Sequence, residues 1–302
     1  NNNSWSQLGA DIDGEALGDY SGASVSLSSD GSRLAIGAIA NDGGGNNSGH
    51  VRIYQYNNNS WSQLGADIDG EDSGDESGYS VSLSSDGSRL AIGGYLNDGN
   101  GSSSGHARIY DYNGSAWVQV GADIDGEAAL DRSGRSVSLS SDGTRVVIGA
   151  YLNDAGNASS SDNRGHVRIY DYNGSAWVQV GADIDGEGAV DTSGSSISIS
   201  SDGTRIAIGA PFNDGNGSNS GHVRVYSISS GGSYQYAWDV DSGGSPSDGT
   251  YRATVAGADL AGNAYSGTDS ITFTIDASAP TVTLTDTDAD NIISTTLSPT
   301  NT

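Results

Sequence analysis

The chain says the same thing four times. Trp5, Trp61, Trp117 and Trp177 stand 56, 56 and 60 residues apart, each within the same word. The clearest copy, SGYSVSLSSDGSRLAIGGYLNDGNGSSSGHARIYDYNGSAWVQVGADIDGE, runs from Ser77 to Glu127. A repeat of this length is one supersecondary unit that cannot bury its apolar face alone, so copies must stack.

Within a copy the text alternates with a period of two. Val25 and Leu27 share a face opposite Ser24, Ser26 and Ser28, and Leu34 and Ile36 alternate with Ala35 and Gly37. Val51 and Ile53 face away from Arg52, Tyr54 and Tyr56. The first copy therefore predicts strands over Ala23–Ser28, Arg33–Ala38, Gly49–Tyr56 and Ser60–Ala66. Asp30-Gly31, with Asp86-Gly87, Asp142-Gly143 and Asp202-Gly203, supplies a hairpin turn between the first two strands. A longer polar loop joins the second to the third.

Four short antiparallel strands at this period predict an all-β fold, a β-propeller of four-stranded blades over residues 1–230. Residues 4–12 match the last strand of a repeat, while the fourth copy lacks one after Tyr226. They are expected to close the ring there and remove its exposed edges. From 231 the text changes. YQYAWDV, Thr250–Ala256, Ser270–Ile275 and Thr281–Thr285 read as strands of a partial immunoglobulin-like β-sandwich over 231–302. The opening inside a repeat, with no initiator Met or signal peptide, reads as a fragment of a longer chain.

Charge narrows the partners. The formal net charge is −26, with 38 acidic residues against 12 basic ones, all Arg. Such a surface repels phosphate backbones and argues against nucleic acid. The longest apolar run, Leu34–Ala40, is too short to cross a bilayer. Cys is absent, which leaves the compartment open.

The most suggestive chemistry is D-x-D-G-E-x-x-x-D between repeats. It comprises Asp11, Asp13, Glu15 and Asp19, then Asp67, Asp69, Glu71 and Asp75. Asp123, Asp125, Glu127 and Asp131 follow, then Asp183, Asp185, Glu187 and Asp191. Carboxylates alternating around a Gly turn are how loops wrap Ca²⁺; an acidic turn whose Asp residues accept backbone N–H bonds is the other reading. The loop from Asp98 to Ser102, echoed at Asp214–Ser218, reads as a polar loop. His50, His106, His166 and His222, one per copy, are expected to anchor a loop by hydrogen bonding. Every polar candidate is copied four times, whereas an active site is usually a unique constellation, so the chain reads as non-enzymatic.

SGASVSLS, SGYSVSLS, SGRSVSLS and SGSSISIS, followed by IGAIA, IGGYL, IGAYL and IGAPF and then by the SGHVRIY-type strands, resemble FG-GAP repeats of the integrin α-chain propeller. The Phe is missing throughout, since Tyr20, Glu76, Arg132 and Thr192 precede Ser-Gly, and only Gly209-Ala210-Pro211 is complete. SSDGSRLAIG and GHVRIYDYN are also similar to WD-repeat propellers. FG-GAP repeats place Ca²⁺ in a longer loop that has shrunk here to Ser-Asp-Gly. DLAGNAYSGTDSITFTIDASAPTVTLTDTDADNIIS resembles tandem bacterial immunoglobulin-like modules. The resemblance implies an extracellular cell-surface or adhesion protein that binds protein or glycan through propeller loops. The alternatives are an extracellular filament or matrix subunit self-assembled by strand addition, or an accessory part of a secreted hydrolase.

Overall fold

The computed structural model describes residues 4–154, 162–228, 249–254 and 270–275. Contacts divide the chain into two compact parts, Asn1–Ile228 and Ser229–Thr302. The described residues are all-β, with repeated antiparallel sheets consistent with a propeller.

The first sheet orders Ser21–Leu27, Arg33–Ala38, His50–Asn57 and Ser60–Gln63 side by side. A two-residue strand, Ile68–Asp69, which the alternation did not announce, folds back onto the third strand. The second sheet repeats this with Ser80–Leu83, Arg89–Gly94, His106–Tyr112, Trp117–Gln119 and Ile124–Asp125. The third uses Ser133–Leu139, Arg145–Ala150, His166–Tyr172, Trp177–Gln179 and Ile184–Asp185. The fourth has three described strands, Ser196–Ile199, Arg205–Ala210 and His222–Ser227.

Period-two alternation gives each inner sheet two apolar faces. In the second sheet Leu90, Ile92 and Tyr110 meet Ala35, Val51 and Ile53 of the first. Its other face, Ala91, Ala107 and Ile109, meets Val137, Leu139, Val146 and Ile148 of the third. Val147, Val167 and Ile169 then meet Ile206 and Ile208 of the fourth. Each fully buried Leu or Ile contributes about 1.5–3 kcal/mol, so the stacking faces hold the row together.

The serines between those apolar positions join sheet to sheet. Ser24 Oγ donates to Gly78 O at 2.6 Å, and Ser80 and Ser136 repeat the bond to Gly134 and Gly194 at 2.8 Å. Leu83 N and Leu139 N donate to Ser26 Oγ and Ser82 Oγ. The approach is close enough to demand glycine opposite: a Cβ on Gly37, Gly93 or Gly149 would lie 2.1, 2.0 or 2.2 Å from the facing carbonyl.

The sequence expects residues 4–12 to close the ring. They carry no strand, and the Leu8 carbonyl accepts the Trp61 indole N–H at 2.9 Å. Trp117 and Trp177 bond Leu64 and Val120 in the same way, so 4–12 stands to the first sheet as each sheet's last strand stands to the next. Val25 and Leu27 at one end, and Val223 and Val225 at the other, remain exposed. In the second part, Gly249–Thr254 pairs antiparallel with Ser270–Ile275. Those two strands do not show an immunoglobulin-like sandwich. YQYAWDV and Thr281–Thr285 lie outside the described residues.

Candidate metal centres

After each Trp strand the chain turns at Gly65, Gly121 or Gly181 and folds back along the third strand of its own sheet. His50 pairs with Asp69, His106 with Asp125 and His166 with Asp185. The fold-back is clamped from the following sheet: Arg108 and Arg168 donate through Nη2 to the Asp69 and Asp125 carbonyls at 2.8 and 2.6 Å. Arg52 does the same for Asp13, and Arg224 for Asp185.

This geometry sorts the four carboxylates of each connector into different jobs. The last, Asp19, Asp75, Asp131 or Asp191, is buried and structural. Asp75 Oδ2 accepts Asp72 N at 3.0 Å and Asn97 Nδ2 at 3.1 Å, and the other three repeat the pattern with Asn41, Asn153 and Asn213. Asp13, Asp69, Asp125 and Asp185 serve through their carbonyls, although the Asp69 carboxylate also comes within 3.9 Å of His50 Nδ1. Asp11, Asp67, Asp123 and Asp183 each accept a Gln amide four residues back.

The remaining groups converge across connectors. Glu15, His50 and Asp67 form one cluster, Glu71, His106 and Asp123 a second, and Glu127, His166 and Asp183 a third. Each of these groups could hold a metal ion. In the second, His106 Nδ1 stands 3.7 Å from Glu71 Oε2 and 3.8 Å from Asp123 Oδ2. The other two reproduce these distances within 0.1 Å. Such gaps are too long for hydrogen bonds. They suit donors sharing one cation, since ligands bonded at ~2.1 Å lie about 3.4 Å apart in a tetrahedral site.

All three imidazoles are 1 % exposed, and Nδ1 of each has no hydrogen-bond partner. The expectation that these histidines anchor loops by hydrogen bonding is thereby corrected. Burial, and next the positive charge of Arg108 or Arg168, lower His106 and His166 to about 4, which keeps the lone pair free near neutral pH. Glu71 is raised by burial, partly offset by Arg108 and reinforced by Asp123. Glu127 is raised by burial and by Asp183. Arg108 Nη1 lies 3.7 Å from Glu71 Oε1 and orients the carboxylate from behind.

The outer copies are incomplete. Glu187 and His222 stand 3.7 Å apart, with no third donor among the described residues. Asp11, the first copy's counterpart of Asp67, joins no such group among them. At the opposite end of the sheets, Ser29, Asp30, Ser85, Asp86, Ser141 and Asp142 line a cavity of about 470 Å³. Its carboxylates are held by their own turns: Asp30 accepts from Ser28 Oγ and Ser32 N.

No protein-family model matches the chain, and no curated protein matches it. Solved structures that resemble it include a hydrazine synthase from Kuenenia stuttgartiensis, 12 % identical over 68 % of this chain and 45 % of that one, with a TM-score of 0.40. The chain thus spans under half the length of that protein. A putative 6-phosphogluconolactonase from Bacteroides uniformis is 11 % identical over 87 % of this chain and 70 % of that one, with a TM-score of 0.46. A periplasmic gluconolactonase from Pseudomonas aeruginosa is 15 % identical over the same shares, with a TM-score of 0.43. These are enzymes by name rather than adhesion repeats. With no family model matching and enzymes rather than adhesion repeats among these names, the FG-GAP and integrin-like assignment is corrected, and with it the adhesive, non-enzymatic role and the filament alternative. At these TM-scores they carry no reaction over to this chain.

Proposed function

We propose that the first part of the chain is a divalent-cation-binding repeat domain. Each of the three Glu–His–Asp groups takes one ion and ties together the connectors on either side of a sheet. The observation that carries this reading is the buried imidazole Nδ1, without a hydrogen-bond partner, aimed at two carboxylates. A nitrogen donor among the three favours a borderline ion of the Zn²⁺ kind over Ca²⁺, which prefers six to eight oxygens. Two carboxylates against one arginine leave each group one negative charge in excess, which a dication reverses. Three protein donors leave further positions to water or to a ligand.

The test is a Zn²⁺ titration of metal-stripped protein in competition with a chromophoric chelator. Three equivalents are expected, falling to two in Asp67→Asn, Asp123→Asn or Asp183→Asn with the circular dichroism unchanged. Ca²⁺ in large excess should not displace them. Absence of tight Zn²⁺ binding, or three equivalents retained in the variants, would rule the sites out.

A further inference from the structure

Almost every polar side chain in the four sheets is copied from repeat to repeat, but one group is not. It lies where the second sheet meets the third, at the end opposite the Asp-Gly turns, and comprises Glu76, Tyr79 and Tyr95 with Arg132, Arg135 and Tyr151. The first copy has Tyr20, Ala23 and Ile39 at these positions, and the fourth has Thr192, Ser195 and Pro211. Stacking of consecutive sheets therefore assembles at this one seam a constellation that no other seam repeats.

Its geometry is organised around two cations. The Arg135 guanidinium sits 4.4 Å from the Tyr79 ring centroid and 5.5 Å from that of Tyr151. Tyr79 in turn packs on Tyr95, with centroids 4.3 Å apart. Arg132 lies 5.7 Å from the Tyr95 ring and donates through Nη1 to Tyr151 Oη at 3.0 Å, while its Nε is buried with no hydrogen-bond partner. Glu76, the acidic member, faces Tyr95: burial first, then Glu76, push the Tyr95 hydroxyl up to about 12.

Seven of the other arginines sit in ion pairs. Among the described residues Arg132 and Arg135, like Arg33 and Arg205, make no ion pair, and the Arg135 side chain makes no hydrogen bond. In a chain carrying 38 acidic residues, these two guanidiniums share one seam with a single carboxylate, Glu76, that stands in ion-pair contact with neither. Tyrosine faces hold the Arg135 plane in place, so little rotamer freedom remains to be lost when its N–H edge meets an acceptor. A planar fork fixed in this way matches the two oxygens of a carboxylate or phosphate. The surrounding negative charge repels a polyanion along its length, whereas a compact anion feels only charges within about 8 Å, those beyond a Debye length being screened.

We infer that this seam is a binding site for a small molecule bearing a carboxylate or phosphate group, with Arg135 and Arg132 as its donors. The site is independent of the cations. Its test uses metal-stripped protein titrated calorimetrically at constant ionic strength, with inorganic phosphate in one arm and succinate in the other. Saturable one-to-one binding in either arm below about 10 mM is expected, and the tighter arm tells which oxyanion the site prefers. Arg135→Gln should weaken it at least about tenfold, the loss of a charge-assisted bidentate contact. The exposed control Arg205→Gln should leave it unchanged. Circular dichroism of both variants should match the parent. Lack of saturable binding in both arms, or equal effects of the two substitutions, would overturn the assignment.

Discussion

Replacing Asp75 by alanine separates a structural carboxylate from one proposed to bind metal. The Asp75 side chain is 3 % exposed, and its Oδ2 accepts the Asp72 N–H at 3.0 Å and the Asn97 amide at 3.1 Å. Truncation leaves both donors without that acceptor. Each stranded buried donor costs about 1–3 kcal/mol, so Asp75→Ala should lose about 2–4 kcal/mol once solvent reaches the more accessible backbone group. Asp75→Asn, which keeps an acceptor oxygen, should lose less. The loss should be the same with and without cation. Asp67→Asn should behave in the opposite way: near neutral in stripped protein, but without the stabilisation that the first site adds when loaded. That stabilisation is about 2.7 kcal/mol at a free cation concentration one hundred times Kd. Urea denaturation of the three variants, stripped and Zn²⁺-loaded, gives every number needed. If Asp75→Ala were as stable as the parent in stripped protein and had lost one equivalent of metal, the division of labour within the connectors would be refuted.

Two further outcomes follow from the stacking and from the buried imidazoles. Gly93→Ala should destabilise far more than Gly209→Ala, by a margin of about 1–3 kcal/mol in urea unfolding, because the new Cβ meets the Gly134 carbonyl at 2.0 Å. At Gly209 it meets only the movable Ser196 hydroxyl below 3 Å, so similar costs would argue against the close approach of sheets. For His106 and His166, with folded values near 4 against 6.5 unfolded, the unfolded chain binds more protons between those limits. Stability of stripped protein should therefore be complete above pH 6.5 and fall as the pH drops toward 4. The raised Glu71 and Glu127 act in the opposite sense in the carboxylate range, so the loss should be steepest in the upper part of the window. A flat urea midpoint from pH 7 to 5, or a slope unchanged in His106→Gln, would contradict it.

The strands were legible because alternation and Asp-Gly turns are local signals. Val25 and Leu27 announce a half-apolar strand, and the structure explains why serines lie between them: they bond the next sheet. The connectors were harder to read for a physical reason. A repeat tells which residues are equivalent but not which copies meet, so Asp11, Asp13, Glu15 and Asp19 read as one loop. In the structure Glu15 instead looks across to His50 and to Asp67 of the following connector. The two-residue strand Ile68–Asp69, too short to show a period, makes that crossing, and the buried Asp75–Asn97 bond gives no sign in a polar loop. The signal that could have linked them was the constant pairing of one His per copy with one Glu per connector. The Tyr–Arg group at the second seam was hidden differently, by being read as departures from a repeat rather than as a set.

Diffraction from a Zn²⁺-soaked crystal, recorded on both sides of the zinc absorption edge, bears most directly on the cation sites. Three anomalous peaks are predicted, each bonded to an imidazole Nδ1 of His50, His106 or His166 and to the Glu and Asp oxygens facing it. Zinc found only elsewhere on the acidic surface, with those three pockets holding water, would contradict the account.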